Sequence, residues 1–234
     1  MIKDEFIIRL KELGISITEE QLLKLEKYYE LLIEKNKVMN LTTITEKEEV
    51  YLKHFYDSLT IVKSININEI NSICDIGTGA GFPGLVLKIL FPKIKITLVD
   101  ALEKRIKFLN EVIEKLDLKD INAVHDRIEL YSKQNKEKYD LVVSRAVSTT
   151  NILLELGAQL VKINGYYIFM KGEAQQELKE SKKAINTLGF TIYNINKFYL
   201  PNENSKRTLI CLRKISKTNT KYPREFGKIK KMPL

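Results

Sequence analysis

A chain of 234 residues, 44% of them apolar, is long enough to bury one α/β core with an appendage, and its opening Met-Ile-Lys-Asp-Glu is too acidic for a secretory signal. No apolar run approaches the ~20 residues a bilayer span needs. The two cysteines and two histidines have no metal-ligand spacing, so a cytoplasmic, metal-free protein with no membrane attachment is expected. The net charge of +9 is uneven: between Arg213 and Lys231 eight basic residues face one acid, Glu225, which leaves the remainder close to neutral.

Residues 1–63 read as a helical extension. Thr18-Glu-Glu-Gln21 is a capping box opening a helix with Leu22, Leu25, Tyr28, Tyr29 and Leu32 on its apolar side. Thr45-Glu-Lys-Glu48 reads as a second capping box, starting a helix through Tyr51, Phe55, Leu59 and Val62. The polar stretch 36–43 between them, without a clean period, reads as a loop.

From residue 64 to 215 strand and helix alternate. Strands are expected at 70–76, 94–99, 120–124, 139–143, 164–170, 190–199 and 206–214, with helices at 84–91, 103–116, 149–161 and 174–188. Regular β-α alternation calls for an α/β fold with a doubly wound, mostly parallel sheet, and the turn-rich Leu200-Pro-Asn-Glu-Asn-Ser-Lys206 makes a terminal hairpin that adds an antiparallel strand. Right-handed crossovers then bring the C-terminal ends of the parallel strands to one edge, where ligands bind. Residues 216–234 form a basic tail whose Lys221, Tyr222, Arg224, Lys228, Lys230 and Lys231 suit phosphate contact and base stacking. The alternative is a solvated, frayed terminus.

The first strand runs into Asp75-Ile-Gly-Thr-Gly-Ala-Gly-Phe-Pro-Gly84. A strand, a glycine turn and a helix N-terminus form a cradle for a nucleoside-containing cofactor. Gly79, Gly81 and Gly84 meet the dinucleotide pattern G-x-G-x-x-G, with Asp100 ending the next strand. The acid at Asp75 argues against a pyrophosphate, which it would repel, and for S-adenosyl-L-methionine, whose methionine end carries an ammonium group. Asp100 suits ribose hydroxyls under either reading. The expected cofactor residues on this edge are Asp75, Gly77, Gly79, Gly81 and Asp100.

The other strand ends supply further candidates. His125-Asp-Arg-Ile-Glu129 follows the third strand, Ser144-Arg145-Ala146 ends the fourth, and Lys171-Gly172 ends the fifth. Each has a structural alternative. Asp75, Asp100, Asp126 and Ser144 are possible caps, Arg145 a surface ion-pair residue, His125 a polar strand end and Lys171 a solvated one. His54, among apolar helical neighbours, reads as packed, with Asp57 able to hold it by a hydrogen bond.

On these residues the chain resembles the glucose-inhibited-division-protein-B (RsmG) family, guanine-N7 methyltransferases of small-subunit (16S) ribosomal RNA. The likeness covers nearly the full length: Asn40-Leu-Thr42, His54 with Asp57-Ser58, the glycine loop, Asp100 with Lys104-Arg105, Arg127 with Glu129, Ser144-Arg-Ala146, Lys171-Gly172 and Tyr222-Pro-Arg224. The tail departs from the family at Gly227-Lys-Ile-Lys-Lys-Met-Pro233, where another proline is usual. The resemblance implies a Rossmann-like class I methyltransferase fold with a seven-stranded sheet. It also implies cofactor contacts from Gly77, Phe82, Ile128, Glu129 and Arg145, and 16S ribosomal RNA or the small ribosomal subunit as partner.

The chemistry agrees with what the chain lacks. An exocyclic amine methyltransferase usually carries an Asn/Asp-Pro-Pro-aromatic stretch after the fourth strand, here Ser-Arg-Ala-Val, and neither cysteine lies where a pyrimidine-C5 nucleophile is needed. Guanine N7 has an in-plane lone pair and no proton, so Arg145 is expected to orient the substrate and no general base is assigned. The competing readings are a small-molecule methyltransferase, a non-catalytic RNA-binding protein and a nicotinamide enzyme. Nothing in the sequence suggests an extended interface, so a monomer is expected.

Overall fold

The computed structural model describes residues 3–145 and 148–234, so Ala146 of the Ser-Arg-Ala run lies outside the described residues. After α1 (Lys3–Glu12), Thr18 caps α2 (Glu19–Met39): its Oγ1 accepts from the Gln21 amide at 3.2 Å, and the Gln21 side chain accepts from the Thr18 amide at 3.0 Å. The helix extends to Met39, past the start of the expected loop, and stops at Asn40 with φ 49°, a conformation asparagine tolerates.

The second capping box does not form. Glu46 takes the N-cap position of α3 (Lys47–Val50) with no side-chain bond, and the Thr45 carbonyl instead accepts from the Tyr29 hydroxyl at 3.2 Å. The helical path then widens into a π turn (Tyr51–Tyr56), returns to α4 (Asp57–Leu59) and tightens into a 3₁₀ turn (Thr60–Lys63). Such widened turns concentrate at functional sites, and this one carries His54.

The sheet has seven strands: β1 (Ser72–Ile76), β2 (Lys95–Asp100), β3 (Ile121–His125), β4 (Tyr139–Arg145), β5 (Val161–Lys171), β6 (Phe190–Tyr199) and β7 (Lys206–Lys214). Their order is β3-β2-β1-β4-β5-β7-β6, with β7 antiparallel to both of its neighbours and the first five strands parallel. The helices between them are α5 (Gly84–Leu90), α6 (Glu103–Lys115), α7 (Ile128–Gln134), α8 (Thr150–Gly157), α9 (Gln175–Glu180) and α10 (Lys182–Thr187). The segment after β3, where no helix was expected, carries the short α7.

Two expected helices are shorter than their periodicity suggested. The one after β4 ends at Gly157, and its continuation is a 3₁₀ turn, so β5 starts at Val161. The one after β5 breaks at Ser181, whose hydroxyl donates to the Glu177 carbonyl at 2.6 Å and competes with the helical ladder.

Both faces of the sheet are covered. The N-terminal helices and α5 and α6 enclose one apolar layer that includes Ile73, Leu85, Leu98 and Phe108; α8 and α10 help to enclose the other, around Val142, Leu153, Tyr167 and Phe169. The N-terminal extension is part of the first core. Among the described residues, no helix is long and apolar enough to cross a membrane.

Candidate active site

The reversal of strand order between β1 and β4 leaves a crevice at the C-terminal edge of the sheet, the place where open α/β sheets bind ligands. A cavity of about 650 Å³ opens there. That size suits a cofactor with part of a substrate.

The glycine loop forms one wall. Gly79 has φ 62°, and a Cβ there would meet nothing within 4 Å, so backbone is exposed to the cavity where a side chain would fill it. Gly84 serves the opposite purpose, because a Cβ there would lie 2.2 Å from Leu98 Cδ2 and 2.9 Å from Asp75 Oδ2. Only glycine lets α5 pack this close to the sheet. Asp75 ties the loop together: Oδ2 accepts from Thr78 Oγ1 at 2.7 Å and from the Gly84 amide at 2.9 Å. Oδ1 is buried with no partner among the described residues, and desolvation pushes the carboxyl up to about 6.

Asp100, ending β2, accepts from the amide of Gly79 (2.9 Å), the amide of Leu102 (2.9 Å) and Arg105 Nη1 (3.1 Å). The carboxylate therefore fixes the middle of the glycine loop and stands at the cavity wall. Of the residues expected at the cofactor, Gly77, Gly79, Phe82, Asp100, Ile128 and Arg145 line the cavity. Asp75, Gly81 and Glu129 stand behind that lining. Glu129 accepts from Arg127 Nε at 2.6 Å at the start of α7.

Arg145, half-buried at the end of β4, sits in a polar cage. Its Nη1 donates to the Lys53 carbonyl at 3.0 Å and to Asp57 Oδ2 at 3.3 Å; its Nη2 lies 3.1 Å from His54 Nδ1; its guanidinium sits 5.0 Å from the Phe82 ring centroid. His54 Nδ1 stands between this guanidinium and the Lys53 carbonyl, which is 3.2 Å away, and its Nε2 lies 2.9 Å from Thr42 Oγ1. The imidazole stacks on Phe82 at 4.4 Å, and burial together with the Arg145 charge lowers it to about 3, so it stays neutral.

The expected hydrogen bond between His54 and Asp57 is absent, because Asp57 spends its carboxylate on two arginines. Oδ2 takes Arg145, and Oδ1 accepts from Arg207 Nε at 3.1 Å. Sequence reasoning missed Arg207 altogether. It lies in the last hairpin, where no motif marks it, and reaches the cavity because the Thr208 position of β7 pairs with Lys171 of β5. Lys171, expected to be solvated, is 8% exposed at its side chain and pairs with Glu177 at 2.9 Å. His125 remains at the strand edge, against the Ala101 carbonyl.

The C-terminal residues separate into two sets. Tyr222 is 6% exposed within the second apolar layer, which removes its ring from base stacking. Arg224 binds the fully buried Glu155 through Nε at 2.8 Å and Nη2 at 2.7 Å. Gln159 Nε2 sits within reach of the carbonyls of Thr218, Asn219 and Tyr222. A last helix, α11 (Phe226–Lys231), buries Ile229, and Arg127 lies over its Phe226 ring at 5.7 Å. Lys221, Lys228, Lys230 and Lys231 are exposed. The tail is thus a docked element whose lysines face solvent while Tyr222 and Arg224 anchor it.

The sequence profile of the family described as rRNA small subunit methyltransferase G (GidB) matches residues 21–209. The chain is 47% identical to Ribosomal RNA small subunit methyltransferase G of Bacillus subtilis (strain 168), over 99% of this chain and 98% of that one. Against the protein of the same name from Bacillus cytotoxicus the identity is 46%, with the same coverage. Among solved structures, a SAM dependent methyltransferase from Aquifex aeolicus superposes with a TM-score of 0.53 at 14% identity, covering 74% of this chain and 96% of that one. The YcgJ protein of Bacillus subtilis gives 0.54 at 11% identity, covering 70% and 100%. At such identities the likeness is one of fold.

Proposed function

Because the chain belongs to the rRNA small subunit methyltransferase G family, we propose that it transfers a methyl group from S-adenosylmethionine to N7 of a guanine in small-subunit (16S) ribosomal RNA. The observation that carries this reading is the placement of the glycine loop, Asp100 and Arg145 around one cavity, in a chain matched along its whole length by methyltransferases of that name.

The residues present fit the cofactor. Gly79 leaves open space where a side chain would intrude, Asp100 brings an acceptor to the wall for ribose hydroxyls, and the unpartnered Oδ1 of Asp75 suits the ammonium of the methionine end. Gly77, Gly81, Phe82, Ile128, Glu129 and Arg145 complete the proposed cofactor set. When bound, S-adenosylmethionine supplies an electrophilic methyl on a sulfonium.

The remaining contribution of the protein is alignment. Guanine N7 needs no deprotonation, and His54, lowered by burial and the Arg145 charge and held between Thr42 and Arg145, is a poor base. Arg145, fixed in orientation by Asp57, His54 and the Lys53 carbonyl, orients the base at the mouth. The target base must be unpaired or extruded to reach so recessed a group. We assign residues 1–63 to a wall of the site, 64–215 to the methyltransferase core and 216–234 to RNA contact through Lys221, Lys228, Lys230 and Lys231. The protein works as a cytoplasmic monomer under this reading.

The test is methyl transfer from labelled S-adenosylmethionine to small ribosomal subunits, and separately to their naked RNA, from cells lacking this gene. Label recovered as 7-methylguanosine supports the reading. Cofactor binding without label in RNA refutes the substrate assignment.

A further inference from the structure

Away from Asp100 the cavity wall carries four cations, Lys53, Arg145, Lys171 and Arg207, with Asp57 among them. Lys53 is neutralised by Glu49 and Glu203, and Lys171 by Glu177. Arg145 and Arg207 share Asp57 at 3.3 and 3.1 Å, and among the described residues it is their one ion-pair partner within 4 Å. The trio taken alone carries one net positive charge, and the second carboxylate on Lys53 brings the four cations and four carboxylates of this wall into balance. Asp57 is 5% exposed and has both oxygens engaged, so it acts as a brace that fixes two guanidiniums side by side.

The donors of Arg207 show which part is free. Nε is spent on Asp57, and Nη1 donates to Ser205 Oγ at 2.7 Å and to the Lys206 carbonyl at 3.0 Å. Nη2 has no partner among the described residues, and the side chain is 20% exposed at the mouth. The cofactor does not account for this free donor. S-adenosylmethionine carries a sulfonium and an ammonium against one carboxylate, and an extra cation beside it is unfavourable. A phosphodiester is the complementary ligand, since guanidinium forks bind phosphate oxygens with directed, charge-assisted bonds. An extruded nucleotide brings its own phosphates to the rim of the pocket that takes its base.

The geometry points to Arg207, braced by Asp57 beside Arg145, as the phosphate-binding group for the nucleotide whose base is methylated. This inference rests on the RNA methyltransferase reading and adds to it a second arginine that contacts backbone. Asp57 is a positioning residue for both guanidiniums.

The test compares the full chain with Arg207→Gln and Arg207→Lys. RNA affinity is measured across a range of salt, together with S-adenosylhomocysteine affinity and steady-state kinetics. Arg207→Gln is expected to weaken RNA binding about tenfold and to lower the slope of log K against log salt by roughly 0.7–0.9, the contribution of one phosphate. Arg207→Lys is expected to keep the slope but lose part of the affinity, because the fork is gone and the charge remains. S-adenosylhomocysteine affinity is expected to be unchanged in both. An unaltered salt slope in Arg207→Gln overturns the inference, and so does a tenfold loss of S-adenosylhomocysteine binding, which would place Arg207 in the cofactor site. Failure of the underlying reading is separate: the wild-type chain would transfer no methyl to RNA at all.

Discussion

The hydroxyl of Tyr28 donates to the carbonyl of Ala80 at 2.6 Å, tying α2 of the N-terminal extension to the middle of the glycine loop. The same ring packs against Phe55 at 5.6 Å and Phe82 at 5.4 Å, and Gln21, about two turns earlier on the same face, donates to the carbonyls of Ile89 and Leu90 at the end of α5. The extension thus grips the loop and the helix that follows it. Tyr28→Phe leaves the Ala80 carbonyl without its buried donor, a loss of about 1–3 kcal/mol. Cofactor affinity should fall severalfold while kcat at saturating cofactor holds, as read by titration with S-adenosylhomocysteine and by kinetics. Unchanged affinity would show that the loop keeps its shape without α2.

Asp75 should make the protein less stable as pH rises. Its carboxyl is raised to about 6 by burial, against an ordinary value near 4, so the folded state retains a proton that the unfolded chain has released. The stabilisation is complete below about pH 4 and lost as pH climbs through 6, on the order of 3 kcal/mol. Asp75→Asn keeps an oxygen for Thr78 and Gly84 and places an NH₂ where Oδ1 now has no partner. Urea unfolding at pH 5 and pH 8 should show the variant gaining on the wild type at the higher pH, with weaker cofactor binding as the accompanying loss. An equal difference at both pH values would contradict this.

His54 tilts the other way. Its imidazole is lowered to about 3, so the unfolded chain takes up a proton near pH 6.5 that the folded chain refuses. Its contribution is present above pH 6.5 and is lost as the solution is acidified, about 3 kcal/mol by pH 4. His54→Gln, which cannot be protonated, should narrow the stability gap to wild type on acidification. Chemical denaturation from pH 7 to pH 4.5 measures that gap, and a constant difference would refute the assignment of a buried neutral imidazole.

The ion pair between Glu155 and Arg224 should respond asymmetrically to mutation. Glu155 is fully buried, whereas the Arg224 side chain is 25% exposed and can turn to water. Arg224→Ala strands a buried carboxylate and is expected to cost roughly 3–5 kcal/mol. Glu155→Gln leaves only a partly exposed cation and a neutral acceptor, roughly 1–2 kcal/mol. Equal destabilisation in urea would show that the tail, and not the carboxylate, sets the energetics. Neither change should reduce the number of phosphates bound as strongly as replacing Lys228, Lys230 and Lys231 together.

What was legible in the sequence depended on short-range physics. The Thr18 cap, the strand-loop-helix at Asp75 to Gly84, Asp100 at the end of β2 and the terminal hairpin are written in side-chain periodicity, capping chemistry and turn residues, which act over a few positions. Even locally, the cap expected at Thr45 did not form, and Glu46 starts the helix instead. Arg207 meets Asp57 across 150 residues and Arg145 meets it across 88, and Tyr222 disappears into the core beneath a tail that reads as a solvated arm. Those pairings follow from β7 lying antiparallel along β5 and from α8 presenting a buried carboxylate to the tail. Which charges neutralise one another, and which donor is left over to hold a ligand, is decided only when strand order and register bring distant residues within a few ångströms, because Coulombic and hydrogen-bond energies depend on that separation and not on distance along the chain.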